Sequence, residues 1–313
     1  MDGPNVVAVV GPTAAGKSAL GLALAERLGG EIVCCDSMQV YRGMDVGTGK
    51  ATAVEQAAIP HHLLDLVAPD QPFSAATWAE RARAVLRDIA VRGRLPIIVG
   101  GTGLYFRALV HGLFEAPPAD PAIRARHEAE ARTHGVASLY RHLHQIDPAT
   151  AATVLPGDLV RISRALEVWE QTGIPISELR RRSTVPAALR LFAVILDPPL
   201  PELRRRIFAR VETMMATGFL DEVRGLRAAG HGACRALQAL GYRPLGQHLD
   251  GRVTLTQAVD ETKRTTVAYA RRQRTWFRKE TAKLRVASPP EPRTLADDIV
   301  HWQAAHPARV TER

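Results

Sequence analysis

The chain has 313 residues, 46% hydrophobic and 5% aromatic, with 41 Lys+Arg against 32 Asp+Glu and a formal charge of +9. That length suggests about two domains, and the apolar content excludes a mostly disordered chain. The basic balance points to a polyanionic partner, with a merely Arg-rich composition as the plain alternative.

Cys34 and Cys35 are adjacent and Cys234 lies far away, so there is neither a disulfide framework nor a zinc spacing, and a reducing cytoplasm is expected. The longest apolar runs, Val6–Val10 and Leu191–Leu196, are too short to span a bilayer. A strand begins almost at once and leaves no room for a signal peptide, so neither a secreted nor a membrane protein is expected.

Val6–Val10 is a continuous β-branched run before Gly-Pro, the pattern of a parallel strand buried on both faces. A helix follows from Lys17, with Leu20, Leu24 and Leu28 at helical spacing and Gly29-Gly30 as its stop. Glu31–Cys35 reads as a second strand and His62–Leu66 as a third. Ser74 is an N-cap for a helix with Trp78, Ala82, Val85, Leu86 and Ile89 on one face. Leu95–Val99 is another strand, ended by Gly100-Gly101-Thr102-Gly103.

Ala116-Pro117-Pro118 breaks this pattern. From Asp120 to about Ala187 the periodicity is helical; Asp158 caps a helix carrying Leu159, Ile162, Leu166 and Trp169, and Gly173 stops it. Leu191–Leu196 returns as a buried strand. Helices run from about Leu203 to Arg285, and the Pro-rich tail after Ser288 reads as loosely ordered. The expected fold is α/β, a P-loop doubly wound parallel sheet with an inserted all-helical domain over 116–187 and basic C-terminal helices.

Gly11-Pro12-Thr13-Ala14-Ala15-Gly16-Lys17-Ser18 matches G-x-x-x-x-G-K-[ST] between a strand and a helix. Its backbone amides and helix N-terminus suit phosphate oxygens, Lys17 neutralises the terminal phosphate, and Ser18 can hold Mg2+. Asp36 ends the second strand at the same sheet edge. It is either a base for a nucleophile's proton or a cap of the next turn. The glycines around Thr102 let backbone approach a ligand at that edge. Arg210 falls on one helix face with Leu203, Ile207 and Met214; an anionic partner and a snorkelling side chain are both open.

Between Thr262 and Arg285 stand nine cations (Lys263, Arg264, Arg271, Arg272, Arg274, Arg278, Lys279, Lys283, Arg285) and one acid, Glu280, with Tyr269, Trp276 and Phe277 interleaved. Cations with aromatic faces suit nucleic acid. Arg161 and Arg164 form a second basic patch, while Arg180-Arg181-Arg182 reads as a solvated loop. The residues alone leave three classes open: a P-loop transferase acting on nucleic acid, a P-loop nucleoside or small-metabolite kinase, and a nucleotide-gated RNA-binding protein.

With these motifs in order, the chain resembles the tRNA dimethylallyltransferases, also called tRNA isopentenyltransferases. GPTAAGKS is similar to the family's GPTASGKS/T. DSMQVY, the HHLLD segment, GGTGLY, DLVRISRALEV, RIFARVETM, LGYR and YARRQRTWF follow in family order, up to about Lys279. The resemblance implies transfer of a dimethylallyl group from dimethylallyl diphosphate to N6 of adenosine 37 in the tRNA anticodon stem-loop. It implies that the loop from Gly11 to Ser18 holds pyrophosphate instead of ATP, that Asp36 receives the N6 proton, and that Thr102 and Arg210 assist at the pyrophosphate. It places tRNA contacts at Asp36, Ser37, Met38 and Gln39; at Thr102 and Arg124; at Val160, Arg161, Ile162, Ser163 and Arg164; and at Gln238, Ala239, Leu240, Gly241, Tyr242 and Arg243. Arg271, Arg272 and Arg274 join them from the basic stretch. Mg2+ is the expected cofactor, and neither a membrane nor an obligate protein partner is expected. Ala15, Gln238, Pro244 and Val267 depart from the family pattern.

Overall fold

The β-branched run Asn5–Val10 is strand β1, buried at every position, in a computed structural model that describes residues 3–114, 117–182 and 186–306. Helix α1 (Lys17–Leu28) follows, ended by Gly29 in the left-handed conformation, then β2 (Gly30–Cys35). A short helix α2 (Ala53–Ala58), closed by a Thr52/Glu55 capping box, precedes β3 (His61–His62). Ser74 caps α3 (Ala75–Val91) by accepting the Thr77 N–H, and β4 (Leu95–Gly100) leads into α4 (Gly103–Val110).

The sheet has six parallel strands, and β3 has only two residues. The sequence suggests a strand over His62–Leu66, but Leu63 (φ 66°) and Asp65 (φ 53°) adopt left-handed backbone, which no strand tolerates. Right-handed crossovers explain the two faces: β1 to β2 and β3 to β4 run in opposite directions across the order β3-β2-β4-β1-β5-β6, so α1 and α3 cover opposite sides.

The chain forms two compact units. One comprises Met1–Val110 and Ala187–Arg313; the other is His111–Pro186. The second is all helix among its described residues: α5 (Pro121–His134), α6 (Val136–Ile146), α7 (Pro148–Ala151), α8 (Leu159–Thr172) and α9 (Ile176–Arg182). Asp158 caps α8 through the Arg161 N–H, and Gly173 closes it at φ 68°. Leu139, Leu143, Ile162, Leu166 and Val168 form its core. Arg180-Arg181-Arg182 is the last turn of α9, not a loop. Ala116 of the expected Ala-Pro-Pro break lies outside the described residues.

Back in the first unit come β5 (Arg190–Leu196), α10 (Leu200–Ala216), α11 (Phe219–Leu226), α12 (Tyr242–Leu249) and α13 (Leu255–Phe277). The tail differs from expectation. Leu284–Val286 adds a sixth strand, β6, beside β5, and Pro292–Ala305 forms α14, whose Leu295 and Ile299 are buried in the main core with Leu20, Leu24, Val7 and Val9. Glu291 caps α14 and Pro292 opens it, so the Pro-rich composition marks a helix start.

Candidate active site

Strand register assembles the site. Val10 lies level with Gly100, and Gly100 with Cys35, so Gly11, Gly101 and Asp36 leave the sheet side by side at its carboxyl edge. There the phosphate loop turns tightly. Gly11 has φ 146°, and a Cβ on it would meet the Leu196 carbonyl oxygen at 2.3 Å. Gly16, at φ 94°, opens α1, with Pro289 of the tail packed against it. Lys17 folds back over the loop, its Nζ donating to the Pro12 carbonyl at 2.6 Å. Burial, with Arg210 nearby, lowers the Lys17 ammonium to about pKa 8, against the pull of Asp36.

Burial raises the Asp36 carboxyl above the usual carboxylate range, opposed by the Met38 N–H on its Oδ1 (2.9 Å) and by the charges of Lys17 and Arg210. The turn-capping contact is therefore real, and the same carboxylate also faces two cations. Arg210 is no snorkelling side chain. Its Nη2 donates to the Thr48 carbonyl at 3.3 Å, and burial lowers its pKa while Asp36 raises it. Gly49 lies against the guanidinium, and a Cβ there would sit 2.1 Å from Nη2. Cys34 and Cys35 border this edge, but burial pushes both thiols up, which leaves them poor nucleophiles.

These groups surround one cavity of about 470 Å³ in the first unit, within the usual range of ligand sites. Thr13, Lys17, Ser18, Asp36, Ser37, Met38, Gln39, Arg210, Gln238, Ala239, Leu240, Tyr242 and Arg272 all border it. Thr102 sits behind the wall, where its hydroxyl accepts the Ser37 N–H at 2.9 Å and donates to Ser37 Oγ at 3.3 Å. Gly100 and Gly101 line the cavity, and on their Cβ side Gly101 and Gly103 also make room for α13. Added Cβ atoms would strike Gln273 Nε2 at 2.4 Å and Trp276 Cδ1 at 2.2 Å.

Several contributors carry no motif. Glu222 accepts the N–H groups of Asp45, Val46 and Gly47 (2.8, 2.6 and 3.1 Å) and the Tyr242 hydroxyl (2.6 Å), which fixes the loop that presents Thr48 and Gly49 to Arg210. Gln273 accepts the Thr13 N–H and donates to the Gly101 carbonyl. On α13, Thr262, Thr266, Tyr269 and Gln273 recur at helical spacing and all line the cavity. That polar stripe is visible in the sequence among the cations that draw attention first.

The basic stretch is only partly free for a ligand. Arg274, expected as a surface phosphate contact, is paired with Asp197 and mostly buried. Lys263 pairs with Glu212, and Arg264 with Glu261. Phe277 is buried against Phe106 and Arg107 lies over the Trp276 ring, so helix packing takes both aromatics. Arg271, Arg272, Lys279 and Lys283 are exposed.

In the helical unit, Ile162 is fully buried and Ser163 Oγ lies 2.9 Å from Nδ1 of buried His127; contrary to the expected tRNA contacts, both side chains serve the core. Arg124 and Arg164 both bind fully buried Glu167, and these bonds hold its carboxyl below the usual range despite burial. Val160 and Arg161 are the exposed members of that segment. Gly241 is buried and Arg243 exposed in the first unit.

No group of three or more His, Cys, Asp or Glu fit to hold a metal occurs among the described residues. Mg2+ does not need one, because it keeps several waters and takes one or two protein oxygens beside substrate phosphates. The Ser18 hydroxyl, a hard oxygen donor on the cavity, fits that requirement. No described helix is long and apolar enough to cross a membrane.

Comparison with known proteins places this geometry. The family described as IPP transferase matches residues 39–280, and that described as isopentenyl transferase matches 4–66. A tRNA dimethylallyltransferase of Anaeromyxobacter dehalogenans (strain 2CP-C) is 50% identical over 93% of this chain and 98% of its own length. One from Roseiflexus castenholzii is 50% identical over 88% and 90%. The crystal structure of full-length tRNA isopentenylpyrophosphate transferase from Bacillus halodurans superposes with a TM-score of 0.68, at 38% identity over 96% of each chain. A eukaryotic dimethylallyltransferase captured acting on tRNA gives 0.73, at 25% identity over 97% of this chain and 76% of that one.

Proposed function

The chain belongs to the tRNA dimethylallyltransferase family, and on that premise we propose how its residues divide the work of prenyl transfer. The reaction moves a dimethylallyl group from dimethylallyl diphosphate to N6 of adenosine 37 beside the tRNA anticodon and releases pyrophosphate. The C–O bond of the allylic diphosphate breaks, N6 supplies the electron pair of the new N–C bond, and the N6 proton must leave.

The phosphate loop from Gly11 to Ser18 binds the diphosphate, with Lys17 and Arg210 set against the charge that grows on the departing oxygen. Asp36 takes the N6 proton. Its raised pKa suits a base that must bind a proton and later give it up, and the two cations oppose that rise. Ser18 would hold Mg2+, which when bound would supply further neutralisation of the leaving group. Thr102 keeps the Ser37 N–H, and with it the start of the segment after Asp36, in place. The target base has to be flipped out to reach such a cavity. Exposed Arg271 and Arg272, Arg243, and Val160 with Arg161 on the helical unit are the candidates for tRNA contact. A tRNA substrate and buried free thiols agree with a cytoplasmic protein.

The observation that carries this reading is a half-buried carboxylate, Asp36, lining one cavity with Lys17 and Arg210 at the phosphate loop. A small-molecule kinase leaves the exposed cations of α13 without a role. The test is to incubate the protein and unmodified tRNA with dimethylallyl diphosphate labelled in the prenyl group, or with γ-labelled ATP. Prenyl label in the RNA, lost on Asp36→Asn, is the expected result; label from ATP alone would overturn it.

A further inference from the structure

Gln273 has no part in the roles above, yet it joins the two segments that frame the chemistry. Its side chain is buried, 6% exposed. Oε1 accepts the Thr13 N–H at 2.9 Å, and Nε2 donates to the Gly101 carbonyl at 2.8 Å. Thr13 belongs to the phosphate loop. Gly101 begins the turn carrying Thr102, whose hydroxyl holds the Ser37 N–H next to Asp36. Sheet pairing between β1 and β4 ends at Val10 and Gly100, so past that point loop and turn need another tie. A carboxamide can accept one N–H and donate another at the same time. Tyr269, one turn earlier on α13, lies close to Thr102.

The contact also has an electrostatic consequence. Amides of such a loop are anion donors. By occupying the Thr13 N–H, Gln273 withdraws one amide from the anion-binding set and fixes the edge of the cradle.

We infer that Gln273 is a positioning residue for prenyl transfer: it sets the spacing between the diphosphate loop and the Gly-rich turn, and so the leaving group's place relative to the base. This rests on the proposed function above. It predicts that an interior side chain without a charge controls the chemical step and leaves tRNA affinity alone.

The test uses the full chain with Gln273→Ala and Gln273→Glu, measuring single-turnover transfer from labelled dimethylallyl diphosphate, tRNA affinity and thermal unfolding. Gln273→Ala should slow single turnover by about 10–100-fold, the scale of a small misplacement of reacting groups, with tRNA affinity unchanged and the protein folded. In Gln273→Glu an ionised carboxylate accepts from Thr13 but repels the Gly101 carbonyl, whereas the protonated acid donates to it as the amide does. The rate of this variant relative to wild type should therefore rise as pH falls, and that of Gln273→Ala should not. A wild-type rate in Gln273→Ala overturns the inference. So do losses that merely track the folded fraction, with no pH-dependent recovery in Gln273→Glu. If the wild-type chain does not prenylate tRNA, the proposed function falls and this inference with it; wild-type activity with unaffected variants overturns the inference alone.

Discussion

Gly49 and Gly93 provide a matched pair for testing Arg210. Both have left-handed backbone, φ 60° and 71°. A methyl on Gly93 meets nothing within 4 Å, whereas one on Gly49 would lie 2.1 Å from Arg210 Nη2. Alanine at either position incurs the left-handed penalty of about 1–2 kcal/mol. Only Gly49→Ala also pushes the guanidinium aside. The bond to the Thr48 carbonyl is then lost, worth about 1 kcal/mol net, and the cation no longer points where the leaving group would sit. A preorganised group aimed at developing charge contributes about 3–4 kcal/mol to the barrier. Losing half of that slows the step by about 10–30-fold. Denaturant unfolding should therefore rank the two variants within about 1 kcal/mol of each other, while single-turnover transfer separates them by that factor, with Gly93→Ala at the wild-type rate. Equal rates in the two variants would refute the assignment of Arg210 to the leaving group.

Three further outcomes are expected. Asp36→Asn should lower the single-turnover rate by about 10²–10⁴-fold with tRNA affinity retained; because burial raises the Asp36 pKa, the wild-type rate should fall with acid from a pH above the usual carboxylate range, and the variant should lack that limb. Lys17 loses its proton as pH rises through about 8, so pyrophosphate affinity measured by calorimetry should fall through that pH relative to Lys17→Arg, whose guanidinium keeps its charge. Replacing exposed Arg271 or Arg272 by Ala should make the log–log salt slope of tRNA binding shallower by about 0.7; Arg274→Ala should leave the slope nearly unchanged and lower stability instead, because Arg274 pairs with Asp197, and an equal slope change in all three would contradict that.

Much of the molecule is legible in the chain. Continuous apolar runs fixed β1, β2, β4 and β5, because strands buried on both faces are mostly apolar, with Asn5 and Glu31 the buried polar exceptions near the starts of β1 and β2. Ser74 and Asp158 start their helices and Gly29 and Gly173 stop two, since end groups and positive φ impose narrow residue choices. The phosphate loop and Asp36 were readable because they lie directly after strands, and the carboxyl edge of a parallel sheet is where ligands meet it.

Tertiary structure decided what depends on partners far apart in sequence. The three-residue strand β6 exists only because β5 offers it an edge, and α14 only because α1 offers its apolar side. The partners of Arg274, Arg124 and Arg164 turn part of a basic pattern into internal ion pairs, a distinction that charge counting cannot make. Glu222 and Gln273 are ordinary polar residues by position. They become parts of the site through hydrogen bonds to backbone groups about 170 to 260 residues away. Sequence periodicity reports which face of an element is buried. Which buried donor meets which acceptor is settled only when the elements pack, because that pairing depends on distance in space and not on spacing along the chain.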